Sequence, residues 1–277
     1  MNRISPVVKN LLIINVILFV VTYIVGRSID SSGTFWLTNP IVRYLALFFP
    51  GSSYFEPHQF VTHMFMHGGI AHIFFNMYAL WMFGTAIENA WGGKRFLFYY
   101  LFTGLGAAAL HTLVNYFIFS GIATEIRVFG NTPSPELFKH FIDAHRDSFN
   151  QVFVNQLIDI YQNWSMNPND SGYIPIALQK MNYIMTALQN IPTVGASGAV
   201  FGILLAFGMM YPNAQLMLII PPIPVKAKWL VIGYGTIELI LGFSQPGSSI
   251  AHFAHVGGMV FGWLLIRYWI AQARKNR

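Results

Sequence analysis

Ser197 lies between glycines in the run Val194-Gly195-Ala196-Ser197-Gly198. A hydroxyl needs a neighbouring base before it attacks a carbonyl, and flanking glycines let backbone amides approach the oxygen that becomes charged. The run Ala251-His252-Phe253-Ala254-His255 offers imidazoles, with Gly258 and Gly262 following at helical spacing. His72 and Asn76 are four residues apart and share one helix face, where both can donate hydrogen bonds to an oxyanion. These residue types point to acyl transfer by a serine nucleophile. Cysteine is absent, which excludes a thiolate nucleophile, a thiolate zinc site and a disulfide framework. His63 and His67 precede Gly68-Gly69, which breaks the helix before His72, and no carboxylate joins them, so neither a metal nor a cofactor is expected.

The elements that position these residues belong in a bilayer. Of 277 residues 55% are hydrophobic and only 9% charged, against about 25% charged in soluble domains. The net charge of +6 is spread too thinly for a nucleic-acid-binding face, so no nucleic-acid partner is expected. A membrane helix needs about 20 apolar residues, and six stretches qualify: 10–26, 71–90, 96–119, 193–211, 228–243 and 249–269. Pro212 and the cluster Pro221, Pro222 and Pro224 part the fourth from the fifth. The expected fold is all-α, a polytopic six-helix bundle. It divides into residues 1–120 (spans one to three), an extracytoplasmic helical insert at 121–190, and residues 191–277 (spans four to six). Within the insert, 136–161 carries a helical apolar stripe and 175–188 reads as a second amphipathic helix.

Ten of the sixteen basic residues, among them Lys94, Arg95, Lys226 and Lys228, fall at the termini and the even-numbered joints. The positive-inside bias therefore places both termini in the cytoplasm. The lack of an Arg- and Ser-rich presequence favours a bacterial inner membrane. Spans two, four and six then all start from the outer face, which puts Ser197 roughly 5–10 Å below it at about 1.5 Å per residue. The small-residue pairs Gly198/Gly202 and Gly258/Gly262 suit close contact of spans four and six, so His252 is matched in depth to Ser197 and is the expected base. Glu238, well inside span five, and Glu88, at the cytoplasmic end of span two, lie at other depths, and no lysine falls beside Ser197. A Ser197–His252 dyad remains.

The chain resembles the rhomboid family of intramembrane serine proteases. The carrying residues are His72-x-x-x-Asn76, Gly195-x-Ser197-Gly198 and the run from Ala251 through His252 and His255 to Gly258 and Gly262. The lead-in Phe60-Val61-Thr62-His63-Met64-Phe65-Met66-His67 is similar too. The resemblance covers the six spans and not the insert. It implies hydrolysis of a peptide bond at the outer end of a substrate's transmembrane segment, with single-span or other membrane proteins as substrates and the bilayer as medium. Ser197 would attack, His252 would carry the proton, and His72, Asn76 and the Ser197 backbone amide would hold the oxyanion. Gly195, Gly198, Phe201 and Gly258 would support the site. This sequence has His58-Gln59 where the family often has Trp-Arg, and Phe201 where it often has tyrosine.

The alternative is a catalytically silent relative that binds or escorts transmembrane clients, which has no evident need of these four polar residues together. A transporter would show repeated halves or an acidic ion-binding pair, and the sequence has neither.

Overall fold

The computed structural model describes residues 4–29, 38–217, 222–244 and 251–276. The start of span six at residue 249, and Arg3 and Arg277 of the charge count, lie outside the described residues. Eleven helices and one small ribbon are described. In chain order they are α1 (Pro6–Ile29), α2 (Pro40–Leu45), α3 (Gln59–Thr62), α4 (Ile70–Trp91, with a π-helical stretch at Leu80–Gly84), α5 (Gly93–Asn131), α6 (Pro135–His145), α7 (Gln151–Met166), α8 (Tyr173–Gln189), α9 (Ser197–Met210), α10 (Ala227–Ser244) and α11 (His252–Lys275). Between α9 and α10, where the sequence predicts a loop, Gln215–Met217 (β1) pairs antiparallel with Pro224–Lys226 (β2). Four helices, α1, α4, α5 and α11, are long and apolar enough to cross a membrane by length and composition.

The helices are apolar all round, and what separates their faces is side-chain size. Ile13, Ile17, Val20 and Ile24 of α1, with Trp229, Ile232, Ile240 and Phe243 of α10, point outward and exposed. Small residues face inward. Around α9, every inward glycine occupies a place where a Cβ would collide. Gly198 faces Ala107 of α5 and the backbone of α11, Gly258 faces the Gly198 carbonyl, and Gly202 would put a Cβ 2.7 Å from that of Thr103. The expected close contact of spans four and six is found at one glycine of each pair. Gly198 meets Gly258, whereas Gly202 and Gly262 admit Thr103 and Tyr99 of α5, and Tyr99 donates a 2.8 Å hydrogen bond to the Gly202 carbonyl. Close approach of this kind replaces the hydrophobic effect that lipid cannot supply.

Polar groups inside the frame are tied to backbone. Glu88, buried in α4, accepts from the Ser5 hydroxyl at 2.5 Å and from the amides of Val7 and Val8 at 3.0 and 2.9 Å. It thereby satisfies amides that the first turn of α1 leaves without intrahelical partners. Gln59, fully buried, accepts from the Phe48 amide and donates to the carbonyls of Arg43 and Tyr54. His58 makes a 2.7 Å contact with the Tyr44 carbonyl. The His58-Gln59 pair thus pins the chain between α2 and α3 by hydrogen bonds.

Helix α5 does not stop at residue 120. It runs for 39 residues, about 58 Å at about 1.5 Å per residue, twice the thickness of a bilayer core. Gly121 and Gly130 both lie within it, and neither takes the positive φ that would end a helix. Its far end packs with α6, α7 and α8 around a separate core of Phe119, Ile122, Phe129, Phe138, Phe141, Leu157, Trp164 and Met181. The single stripe expected over 136–161 is divided between α6 and α7, because Asn150 caps a new helix by accepting from the Phe153 amide. As a result Val152, counted in that stripe, is exposed.

Two stability outcomes follow from this packing. Gly258→Val forces a branched side chain onto the Gly198 carbonyl and is expected to lower the unfolding temperature of the solubilised protein, overpacking of this kind costing about 1–3 kcal/mol or more. An unchanged transition would mean that the helices are not in backbone contact there. Glu88→Ala leaves two amides of α1 without acceptors, about 1–3 kcal/mol for each one that stays buried. Thermal unfolding followed by tryptophan fluorescence measures it, and Glu88→Gln should lose less.

Candidate active site

The segment that delivers Ser197 is clamped before its helix begins. Thr193 exchanges both backbone hydrogen bonds with Leu47, at 2.9 and 2.8 Å, and the Gly195 amide donates to the His63 carbonyl at 2.9 Å. Gly195 has φ +131°, a region that L-residues rarely adopt. A Cβ there would come 2.8 Å from Nε2 of His72 and 3.5 Å from Oγ of Ser197. The glycine is thus required by both backbone and space, and His72 stands beside the serine. Ser197 is the first residue of α9, so its amide and the next ones have no acceptor within the helix.

Oγ of Ser197 lies 2.8 Å from Nε2 of His255. The His255 ring stacks flat on Phe201, one turn into α9, with centroids 4.3 Å apart and planes within 4°. The expected pairing with His252 is therefore corrected. Contact of Gly198 with Gly258 sets the register of α9 against α11, and the residue one turn before Gly258 on that face is His255. His252 lies a further turn toward the helix start and turns to α10, where its Nδ1 is 2.7 Å from Oε2 of Glu238. A depth argument good to one helical turn does not separate the two histidines. The spacing Ala254-His255-x-x-Gly258 beside Ser197-Gly198 was the signal that could have done so.

Glu238 is the second correction. The sequence reading leaves it at another depth, but its Oε2 is 2.7 Å from Nδ1 of His252 and 2.9 Å from Nδ1 of His255. The first contact is a well-directed hydrogen bond. The second is bent, the ring N–H of His255 pointing off the oxygen. Glu238, His252 and His255 are the one group among the described residues with three ligand atoms close enough to hold a cation together. At 2.7 and 2.9 Å, however, the nitrogens sit at hydrogen-bond distance from the oxygen, whereas a tetrahedral zinc with ligands at about 2.0–2.1 Å would hold them roughly 3.3 Å apart. The geometry as it stands is that of hydrogen bonding.

A cavity of about 1510 Å³ opens over these residues and is lined by His72, Asn76, Ser197, Phe201 and His255. All four side chains expected to act on a carbonyl, with His255 in place of His252, therefore meet one space. His63 and His67 make no contact with Ser197. His63 is buried, with Nδ1 2.9 Å from the Gln59 carbonyl, and burial pulls its pKa down to about 4, so it is a neutral structural group. His67 packs edge-on to His72 with ring centroids 5.1 Å apart.

The model of the rhomboid domain family matches residues 54–126 and 173–272, well over half of the chain. The chain belongs to the rhomboid family. It is an integral membrane protein of several spans. Residues 127–172, which include α6 and α7, fall outside the matched ranges. Curated relatives include "Rhomboid protein 1, mitochondrial" of Saccharomyces cerevisiae, 33% identical over 82 residues, which are 30% of this chain and 23% of that protein. "Rhomboid protease GluP" of Bacillus subtilis is 47% identical over 47 residues, 17% of this chain and 9% of the relative. The matched stretches thus span less than a quarter of either relative's length.

Gly195→Ala is expected to place a methyl against His72 and force the backbone out of its left-handed conformation, costing about 1 kcal/mol or more from the backbone alone. Reaction of Ser197 with a fluorophosphonate should slow at least tenfold while the thermal transition moves by only a few degrees. Unchanged labelling kinetics would show that the turn tolerates a side chain.

Proposed function

We propose that this rhomboid-family chain is an intramembrane serine endopeptidase that cuts transmembrane-protein substrates in or near the outer end of a membrane segment. The observation that carries the reading is the 2.8 Å contact between Oγ of Ser197 and Nε2 of His255 at the wall of the cavity. GluP of Bacillus subtilis, which is named a rhomboid protease, supports it.

In this reading His255 accepts the Ser197 proton as Oγ adds to the scissile carbonyl. The oxyanion is met by the Ser197 amide at the start of α9, where the helix dipole also favours negative charge, and by the side chains of His72 and Asn76. His255 then gives its proton to the departing amine. Water entering the cavity repeats the sequence on the acyl-enzyme. Phe201 keeps the imidazole flat and aimed. The six-span arrangement adds α9 and α10 to the four long helices. Helix α9, only 14 residues, is enclosed by its neighbours and need not match the bilayer by itself. The basic residues at the termini and even-numbered joints support cytoplasmic termini and a site that opens outward, and the cell type follows from neither.

The test uses purified protein in liposomes with a panel of single-span membrane proteins. Ser197→Ala and His255→Ala should each abolish cleavage and fluorophosphonate labelling, and the double variant should be no worse, because the two act as a unit. His252→Asn leaves the Ser197–His255 contact in place and should keep measurable cleavage. A parent protein that folds, takes no fluorophosphonate and cuts nothing would instead support the client-binding alternative. Asn76→Ala should lower kcat by about 10–1000-fold with little change in KM, one oxyanion donor contributing up to about 4 kcal/mol.

A further inference from the structure

A serine and a histidine suffice for the chemistry above, yet a carboxylate is held beside them at some expense. Glu238 lies on α10, whose neighbouring residues Ile237, Leu239 and Ile240 are exposed to the surroundings of the bundle, while Glu238 itself is 9% exposed. A carboxylate within a membrane helix is costly unless its partners recover the lost solvation. Its partners are the two imidazoles of α11, both contacted through the same oxygen, Oε2. A carboxylate only accepts, so each imidazole must present Nδ1–H to it. That assignment leaves Nε2 of His255 with its lone pair toward the Ser197 hydroxyl, the tautomer required of a base.

We infer that Glu238 is a positioning residue for His255, with His252 as the anchor that fixes the carboxylate. The site is then a chain of four groups, Ser197–His255–Glu238–His252. The inference rests on the reading of Ser197 as nucleophile. When Ser197 attacks, its proton passes to Nε2 of His255, Nδ1–H of His255 stays where it is, and Glu238 remains a carboxylate throughout. The new positive charge of the imidazolium faces the oxygen 2.9 Å away, and the matching negative charge appears on the substrate oxygen. The straight bond from His252 holds Glu238 while His255 is neutral. The bent contact to His255 has room to straighten once that ring is charged, so the interaction is stronger in the transition state than at rest, which is what lowers a barrier. Glu238 does not line the cavity, so substrate binding does not depend on it.

Glu238→Gln keeps the shape of the side chain and removes its charge. The expected result is a fall in kcat of about 10–1000-fold with KM within about twofold of the parent, the pattern of a lost transition-state interaction. The thermal transition should stay within a few degrees. In solid-state proton–nitrogen spectra, the Nδ1 proton of His255 should shift in Glu238→Gln and keep its position in Ser197→Ala. A folded Glu238→Gln protein with parental kcat overturns the inference. So does one in which kcat, KM and the unfolding temperature all worsen together while the Nδ1 proton is unmoved, because that is a structural role. Ser197→Ala run alongside separates the two levels: residual cleavage there would sink the protease reading itself, whereas an inert Ser197→Ala beside a fully active Glu238→Gln sinks only the role of Glu238.

Discussion

The backbone contact between Gly198 and Gly258 is the constraint from which the rest of the site follows. No side chain fits at either position, because Gly258 faces the Gly198 carbonyl and Gly198 faces Ala107 and the α11 backbone. Two helices this close have one register, and that register sets Ser197, one residue before Gly198, against His255, one turn before Gly258. The 2.8 Å contact between them is therefore a consequence of packing rather than of side-chain attraction. A hydroxyl–imidazole bond contributes only about 0.5–1.5 kcal/mol net, too little to hold two helices in place.

The same economy governs the remaining polar groups. In an apolar surrounding an unpaired donor or acceptor is expensive, and several polar side chains here are tied to backbone. Glu88 closes the start of α1, Gln59 fastens the chain between α2 and α3, and Thr103 returns to the carbonyls of its own helix. Backbone pairing of Thr193 with Leu47 fixes the approach to Ser197. These ties contrast with Ser197, His255, Glu238 and His252, whose side chains contact one another.

Much of this was legible in the sequence, because apolar runs and small-residue spacing are local signals. The six helical stretches, the glycine frame of Ser197 and the closeness of α9 and α11 all follow from such patterns. The identity of the serine's partner did not, since His252 and His255 differ by less than one turn and only the packed register separates them. Glu238 was missed for a related reason. Its height against α11 depends on how α10 folds back, and counting residues from one membrane face does not supply that. The continuation of α5 past residue 120 is not legible in apolar run length, because the stretch beyond it is too polar for lipid. Gly121 lacks the left-handed conformation that ends helices, and the helix continues because Ile122 and Phe129 have a core of their own to enter.

Charge balance explains why the cluster suits its setting. Oε2 of Glu238 faces both rings, at 2.7 Å from Nδ1 of His252 and 2.9 Å from Nδ1 of His255. In the proposed reaction, one proton would move over a single hydrogen bond, creating a positive ring between two negative centres, the carboxylate and the oxyanion. The oxyanion in turn lies at the amide end of α9, where the helix dipole is positive. In that reaction the signs would alternate from Glu238 through His255 and the substrate oxygen to the start of α9, and net charge would not change. In a medium of low polarity, where separated charges interact several times more strongly than in water, such alternation is what allows ionic intermediates to form beside lipid.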